Sequence, residues 1–213
     1  MDLRWEILAG YGPLFVSGLW MTIELTLVAI GAGLLLGIVF GLTSSSADAP
    51  VPHSPVYAWG LKIARAITVA YVTFFRGTPL FVQILLVHFA LMPALIHPDG
   101  GLLMSGDTAR TFRQEHGAFF SGALALTLNA GAYISEIFRA GIQSIHRGQT
   151  QAAYSVGLSH VQAMRYVVLP QAFRRMVPAL VNEGISLIKD SSLVSNGRTN
   201  LAESLISARQ RWS

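Results

Sequence analysis

Apolar residues fall in long runs separated by short polar stretches. The first run, about Gly18 to Leu42, is interrupted only by Glu24. A helix rising 1.5 Å per residue needs roughly 20 apolar residues to cross hydrocarbon, so this run predicts a first membrane span. Ala29, Gly33, Gly37 and Gly41 recur at every fourth position and form a small-residue stripe, which reads as a structural packing face. Ser44 to Pro55, rich in proline and serine, predicts a loop. Tyr57 to Phe75 is apolar but carries Lys62 and Arg65, and Arg76-Gly77-Thr78-Pro79 breaks it before the apolar run Leu80 to Leu91. One helix over Ala66 to Met92 would be about 40 Å long, too long without strong tilt. The expectation is therefore an interfacial helix before Arg76 and a second span after it.

His97 to Gly117 is polar and predicts an extramembrane loop. Ala118 to Phe138 predicts a third span, with Asn129, Tyr133 and Glu136 inside it. Arg139 to Arg175 is basic, amphipathic and helical in character, and Val177 to Ser195 is a fourth apolar stretch. The pattern thus predicts an all-α, polytopic membrane protein with four visible spans, followed by an atypical polar tail over residues 196–213.

Composition agrees. Of 213 residues 52% are hydrophobic and 12% charged, against about 25% charged in ordinary soluble domains. A water-soluble fold would have to bury that deficit, whereas outward faces in a bilayer are themselves apolar. With no cysteine, disulfide and thiolate-metal chemistry are excluded. The net charge of +4 is arranged as an orientation signal, so no nucleic-acid partner is expected. Lys62, Arg65, Arg76, Arg139, Arg147, Arg165, Arg174 and Arg175 lie in two segments that hold one acid, Asp48. The N-terminal arm and the remaining loop mix Arg4, Arg110 and Arg113 with Asp2, Glu6, Asp99, Asp107 and Glu115. By the positive-inside tendency the basic segments face the cytoplasm and the N-terminus lies outside. The first run is too long, and the start insufficiently cationic, for a cleaved signal.

Catalytic patterns are missing. There is no phosphate-binding G-x-x-x-x-G-K-[ST] loop, and the six histidines show no metal-ligand spacing. No cofactor, metal or enzymatic activity is expected, and His88 reads as a packed or interfacial polar residue. The informative groups lie within spans, where an ionised side chain costs about 2.5–3.5 kcal/mol on insertion scales. Glu183 and Asp190, seven residues apart, share a helix face that Lys189 can neutralise in part. That face meets protein or water. For Lys189 and Asp190 a substrate path and a structural ion pair fit equally; Glu183, beside Asn182, leans toward the path.

The basic segment reads Gln151-Ala152-Ala153-Tyr154-Ser155-Val156-Gly157 and, further on, Leu169-Pro170. Its pattern predicts a short helix, a turn at Gly157 and a second helix stopped by Pro170. A basic hairpin of this kind can simply lie on anionic lipid. Its spacing, however, resembles the EAA motif of binding-protein-dependent ATP-binding-cassette importer permeases. Phe75-Arg76-Gly77-Thr78-Pro79-Leu80, Tyr133 to Ile142 and Leu169-Pro170-Gln171-Ala172 extend the resemblance to the polar amino acid permeases of histidine, glutamine and arginine type, over roughly Leu14 to Ser195.

The resemblance implies a single type I permease domain over residues 1–213, in a bacterial inner membrane with the N-terminus periplasmic. It implies a cytoplasmic coupling loop over 139–176, with Gln151, Ala152, Ala153, Gly157, Leu169 and Pro170 coupling the chain to an ATPase. The implied partners are cytoplasmic ATP-binding subunits, a periplasmic amino-acid-binding protein and a second permease chain, identical or related. A polar amino acid would pass Asn129, Tyr133, Glu183, Lys189 and Asp190 by alternating access. Gln151 stands where the motif has Glu, and the family's final span is not matched after Ser195. The alternatives are an ATP-independent secondary transporter or channel, or a truncated fragment that does not transport.

Overall fold

The computed structural model describes residues 12–45 and 55–211. Helices α1 (Gly12–Ser45), α2 (Pro55–Gly77), α3 (Leu80–Leu95), α4 (Gly106–Gln143) and α5 (Arg147–Ser155) follow in order. His160–Ala163, a π turn at Met164–Val168 and Leu169–Arg211 then continue without a break as α6. Helices are what apolar sequence can form in lipid, since they satisfy every backbone group internally. Among the described residues, Phe15–Ser44, Ala58–Gly77 and Gly106–Gln143 are long and apolar enough to cross a bilayer.

Three boundaries differ from the sequence expectations. The segment before Arg76 is a helix as expected, Pro55–Gly77, but at 23 residues, about 34 Å, it is longer than the apolar run after it, which forms the shorter α3. Residues 106–117, expected as loop, are the first turns of α4, because charged residues on an exposed helical face cost nothing outside the apolar core. Pro170 does not stop its helix. Leu169 N–H reaches back to the Met164 carbonyl, one residue further than in an α-helix. The widened turn takes up the missing N–H and moves the carbonyl that the proline ring would strike. The same device precedes Pro93, where Met92 N–H bonds to the Val87 carbonyl.

The core is built where α1, α4 and α6 meet. The small-residue stripe of α1 lies on α4: a Cβ at Gly33 would stand 2.9 Å from Ala130 Cβ, and one at Gly41 would stand 2.6 Å from Phe138 Cβ. Gly37 meets Ile134 in the same way. These pairs ascend together, so α1 and α4 run in the same direction. Buried Leu25, Ala29, Leu126, Ala130 and Ile134 fill this seam. Van der Waals packing between closely approaching backbones is what holds such a seam in lipid.

α6 runs the opposite way. Gly141 packs on Met176 and Gly122 on Val194, so the segment from 176 to 194 follows α4 for about 28 Å, where the fourth span is expected. Thr26 and Ser191 hydroxyls share a buried 2.9 Å hydrogen bond between α1 and α6. α3 is antiparallel to α4, with His88 Nδ1 at 2.9 Å from Ser121 Oγ and Gln83 bonded to Asn129. His88 is thus a packed polar residue. α1, α3, α4 and the 176–194 part of α6 thus alternate in direction.

Gly37→Leu should push α1 off α4 and cost about 1–3 kcal/mol, read as a lower unfolding temperature in detergent. Gly31→Leu, where a Cβ meets nothing within 4 Å, should leave that temperature unchanged.

Candidate functional site

Helix α2 ends at Gly77, and Thr78-Pro79 turns the chain into α3 with Pro79 extended. The break frees carbonyls that no helix satisfies. Thr78 Oγ1 donates to Phe74 O at 2.8 Å. Gln83 Nε2 donates to Phe75 O at 2.7 Å and to Thr78 O at 3.0 Å. Asn129 Nδ2, from α4, donates to Gln83 Oε1 at 3.0 Å. Gln83 is 1% exposed, a polar side chain in an otherwise leucine-rich run. The sequence reading passed over it, although a lone amide between Val82 and Ile84 is the kind of signal that marks a backbone partner.

Beside this break opens a cavity of about 560 Å³. Its walls are Arg76 to Leu80 from the break, Asn129 and Tyr133 from α4, and Glu183, Ser186, Lys189 and Asp190 from α6. All five residues singled out in the spans come together here. Glu183, Ser186 and Asp190 share a face because spacings of three, four and seven residues coincide on a helix. Among the described residues no ion pair within 4 Å joins Lys189 to Asp190 or to Glu183. The lining therefore carries basic and acidic side chains as separate groups. Ser186 and the residues of the break were not among the sequence candidates for the path.

Arg76 borders the cavity with its guanidinium carbon 5.3 Å from the centre of the Tyr133 ring, a cation–π contact. On its other side Nη1 lies 3.8 Å from Glu136 Oε1. Glu136 is held by Arg139 through both carboxylate oxygens, with Arg139 Nε at 2.8 Å from Oε2. A second space of about 250 Å³ lies there, lined by Ser44, Thr73, Arg76, Ser135, Glu136 and Arg139.

The basic segment forms the hairpin its pattern predicts. His146 caps α5 by accepting from Gly148 N–H, and Gly157 makes the turn at φ +86°, where an L side chain is strained. Ser159 and Gln162 form a capping box that starts α6. Gln151 and Ala152 are exposed, Ala153 is buried, and Gly157 stands at the open tip. Leu169 and Pro170 lie further on, in the body of α6. Arg175 ties the body of α6 to the end of α4 by donating to Ser144 O at 2.6 Å.

A bundle of spanning helices around a two-signed polar cavity, with a basic hairpin at one end, defines a membrane permease. Residues 56–208 match the family of binding-protein-dependent transport system inner membrane components, and the chain belongs to that family. The glutamate/aspartate import permease protein GltK of Escherichia coli O6:H1 is 37% identical over 193 residues, 91% of this chain and 76% of that protein. The arginine transport system permease protein ArtQ of Bacillus subtilis is 36% identical, covering 86% of this chain and 70% of that one. The crystal structure of an amino acid ABC transporter with histidines has a chain that superposes with a TM-score of 0.72 at 34% identity, over 99% of this chain and 86% of its own. A chain of the inward-facing MetNI methionine ABC transporter, at 21% identity and a TM-score of 0.57, is alike in fold.

Gln83→Leu should strand the Thr78 carbonyl and leave the Phe75 carbonyl and the Asn129 amide only their long 3.5 Å contact with each other. A loss of about 1–3 kcal/mol is expected, measured as a lower unfolding temperature of the purified protein.

Proposed function

We propose that the chain is the permease subunit of an ATP-driven importer, carrying a polar amino acid across a bacterial inner membrane. The observation that carries this is the cavity at the α2–α3 break, where Asn129, Tyr133, Glu183, Lys189 and Asp190 surround space sized for a small zwitterion. The α-carboxylate and α-ammonium of an amino acid need opposite partners once water is removed. Arg76 and Lys189 provide for the first, and Glu183 and Asp190 for the second. Relatives named for glutamate/aspartate and for arginine import support the substrate class.

The work comes from a separate ATPase. Gln151, Ala152, Ala153 and Gly157 form the face offered to that subunit, and Leu169 and Pro170 join the hairpin to the α6 wall of the cavity. Movement of the hairpin is thereby delivered to Glu183 and Asp190 along α6, which stays helical past Pro170 and Pro178. The N-terminus lies on the periplasmic side, a binding protein presents the amino acid there, and a second permease chain, identical or related, completes the pathway.

Reconstituted with an importer ATPase and an amino-acid-binding protein, the chain should take up one of L-glutamate, L-glutamine or L-arginine only with ATP inside the ATPase-facing compartment. Uptake driven by an ion gradient alone would identify a secondary transporter instead. Glu183→Ala should abolish most uptake with assembly intact, and unchanged uptake would remove that residue from the path. Gly157→Leu should leave ATP hydrolysis running while uptake falls at least tenfold. The lack of cysteine allows a direct check of orientation. A single Asp99→Cys should react with an impermeant maleimide in intact spheroplasts, and Ser155→Cys only after lysis.

A further inference from the structure

Arg76 stands between the two polar spaces, lining the larger with Glu183 and Tyr133 and the smaller with Glu136 and Arg139. Its hold on Glu136 is loose. At 3.8 Å the pair is an ion contact without a hydrogen bond, and 40% of the Arg76 side chain is exposed. Glu136 is in the opposite condition, gripped by Arg139 one turn along the same helix. Arg139 is itself steadied by Gln143 Oε1 at 2.6 Å. If Arg76 leaves Glu136, the carboxylate keeps a full counter-charge, so no unpaired ion is left in a poorly solvated place. A guanidinium also binds a carboxylate best through two parallel hydrogen bonds, a geometry that Glu136 does not give Arg76 and a visiting carboxylate can.

We infer that Glu136, which lies outside the substrate cavity, is a positioning residue that occupies Arg76 in place of the substrate carboxylate and yields it when an amino acid enters. Arg139 makes the exchange possible by neutralising Glu136 throughout. This rests on the reading of the larger cavity as the amino-acid path. Glu136 therefore tunes how tightly the cavity grips a carboxylate and how readily it lets go, without touching the substrate.

The test uses the full permease–ATPase complex in detergent without the binding protein, so that only the cavity binds. L-glutamate, L-glutamine and L-arginine are titrated separately, and ligand-dependent stabilisation is read from the unfolding temperature. Glu136→Gln removes the competitor and should lower the half-saturating concentration about two- to fivefold, with slower release in uptake assays. Arg139→Gln leaves Glu136 with Arg76 as its counter-charge and should raise it. Arg76→Gln should raise it about tenfold, and the double variant with Glu136→Gln should match Arg76→Gln alone within about twofold.

Opposite signs for Glu136→Gln and Arg139→Gln are what a purely structural role would not give. If Arg76→Gln weakens binding but Glu136→Gln leaves it unchanged, or weakens it additively, the inference fails and the cavity reading stands. If no amino acid stabilises the wild-type complex, or Arg76→Gln has no effect, the cavity reading fails and takes this inference with it. If Glu136→Gln does not assemble, Glu136→Asp, which keeps the charge but shortens its reach, takes its place and should lower the half-saturating concentration below wild type; an unchanged or raised value overturns the inference.

Discussion

A helix that breaks inside an apolar medium exposes carbonyls with no water to receive them, and each costs free energy unless the protein supplies a donor. The break at Thr78-Pro79 exists because Gln83 reaches back across it and Asn129 holds Gln83 in place. Everything about the cavity depends on that arrangement. It places Arg76 at the end of α2, aims it past the Tyr133 ring and opens a gap between α2, α4 and α6 that continuous helices would close. Thr78 and Pro79 are at once the interruption and part of the lining.

The gap is stable because the rest of the bundle is tightly joined. Gly33, Gly37 and Gly41 bring α1 against α4, and small residues at 122 and 141 seat Val194 and Met176 of α6. Hydrogen bonds between Thr26 and Ser191, and from Tyr71 to the Leu128 carbonyl at 2.6 Å, add fixed points. In lipid such contacts are worth only about 1 kcal/mol each, so their number and the close backbone approach matter more than any one. The result is a closely packed α1–α4–α6 frame facing a two-piece α2–α3, with the break beside the cavity.

The two π turns serve the same economy. Each stands immediately before a residue–proline step, at Met92-Pro93 and Leu169-Pro170, and each lets the helix continue where proline would otherwise kink or end it. For α6 the helix thus runs on from the hairpin past Pro170, and past a second interior proline at Pro178, to the cavity wall at Glu183.

The order of apolar and polar residues by itself determined that the chain is a helical membrane protein and where its apolar runs lie, though not where the helices that carry them begin and end. It also picked out Asn129, Tyr133, Glu183, Lys189 and Asp190, because charge and amide groups in lipid-length runs are too costly to be idle. The α1 glycine stripe was legible as packing because small residues four apart have one mechanical use. Which polar residues meet was decided only by tertiary structure. Arg76, Ser186 and Gln83 join the site through contacts between residues tens of positions apart, and a one-dimensional pattern carries no record of such distances. The fate of Pro170 was hidden for the same kind of reason: proline's local preference is to end a helix, and only packing of the surrounding α6 turns on α4 and α5 made the π register the better answer.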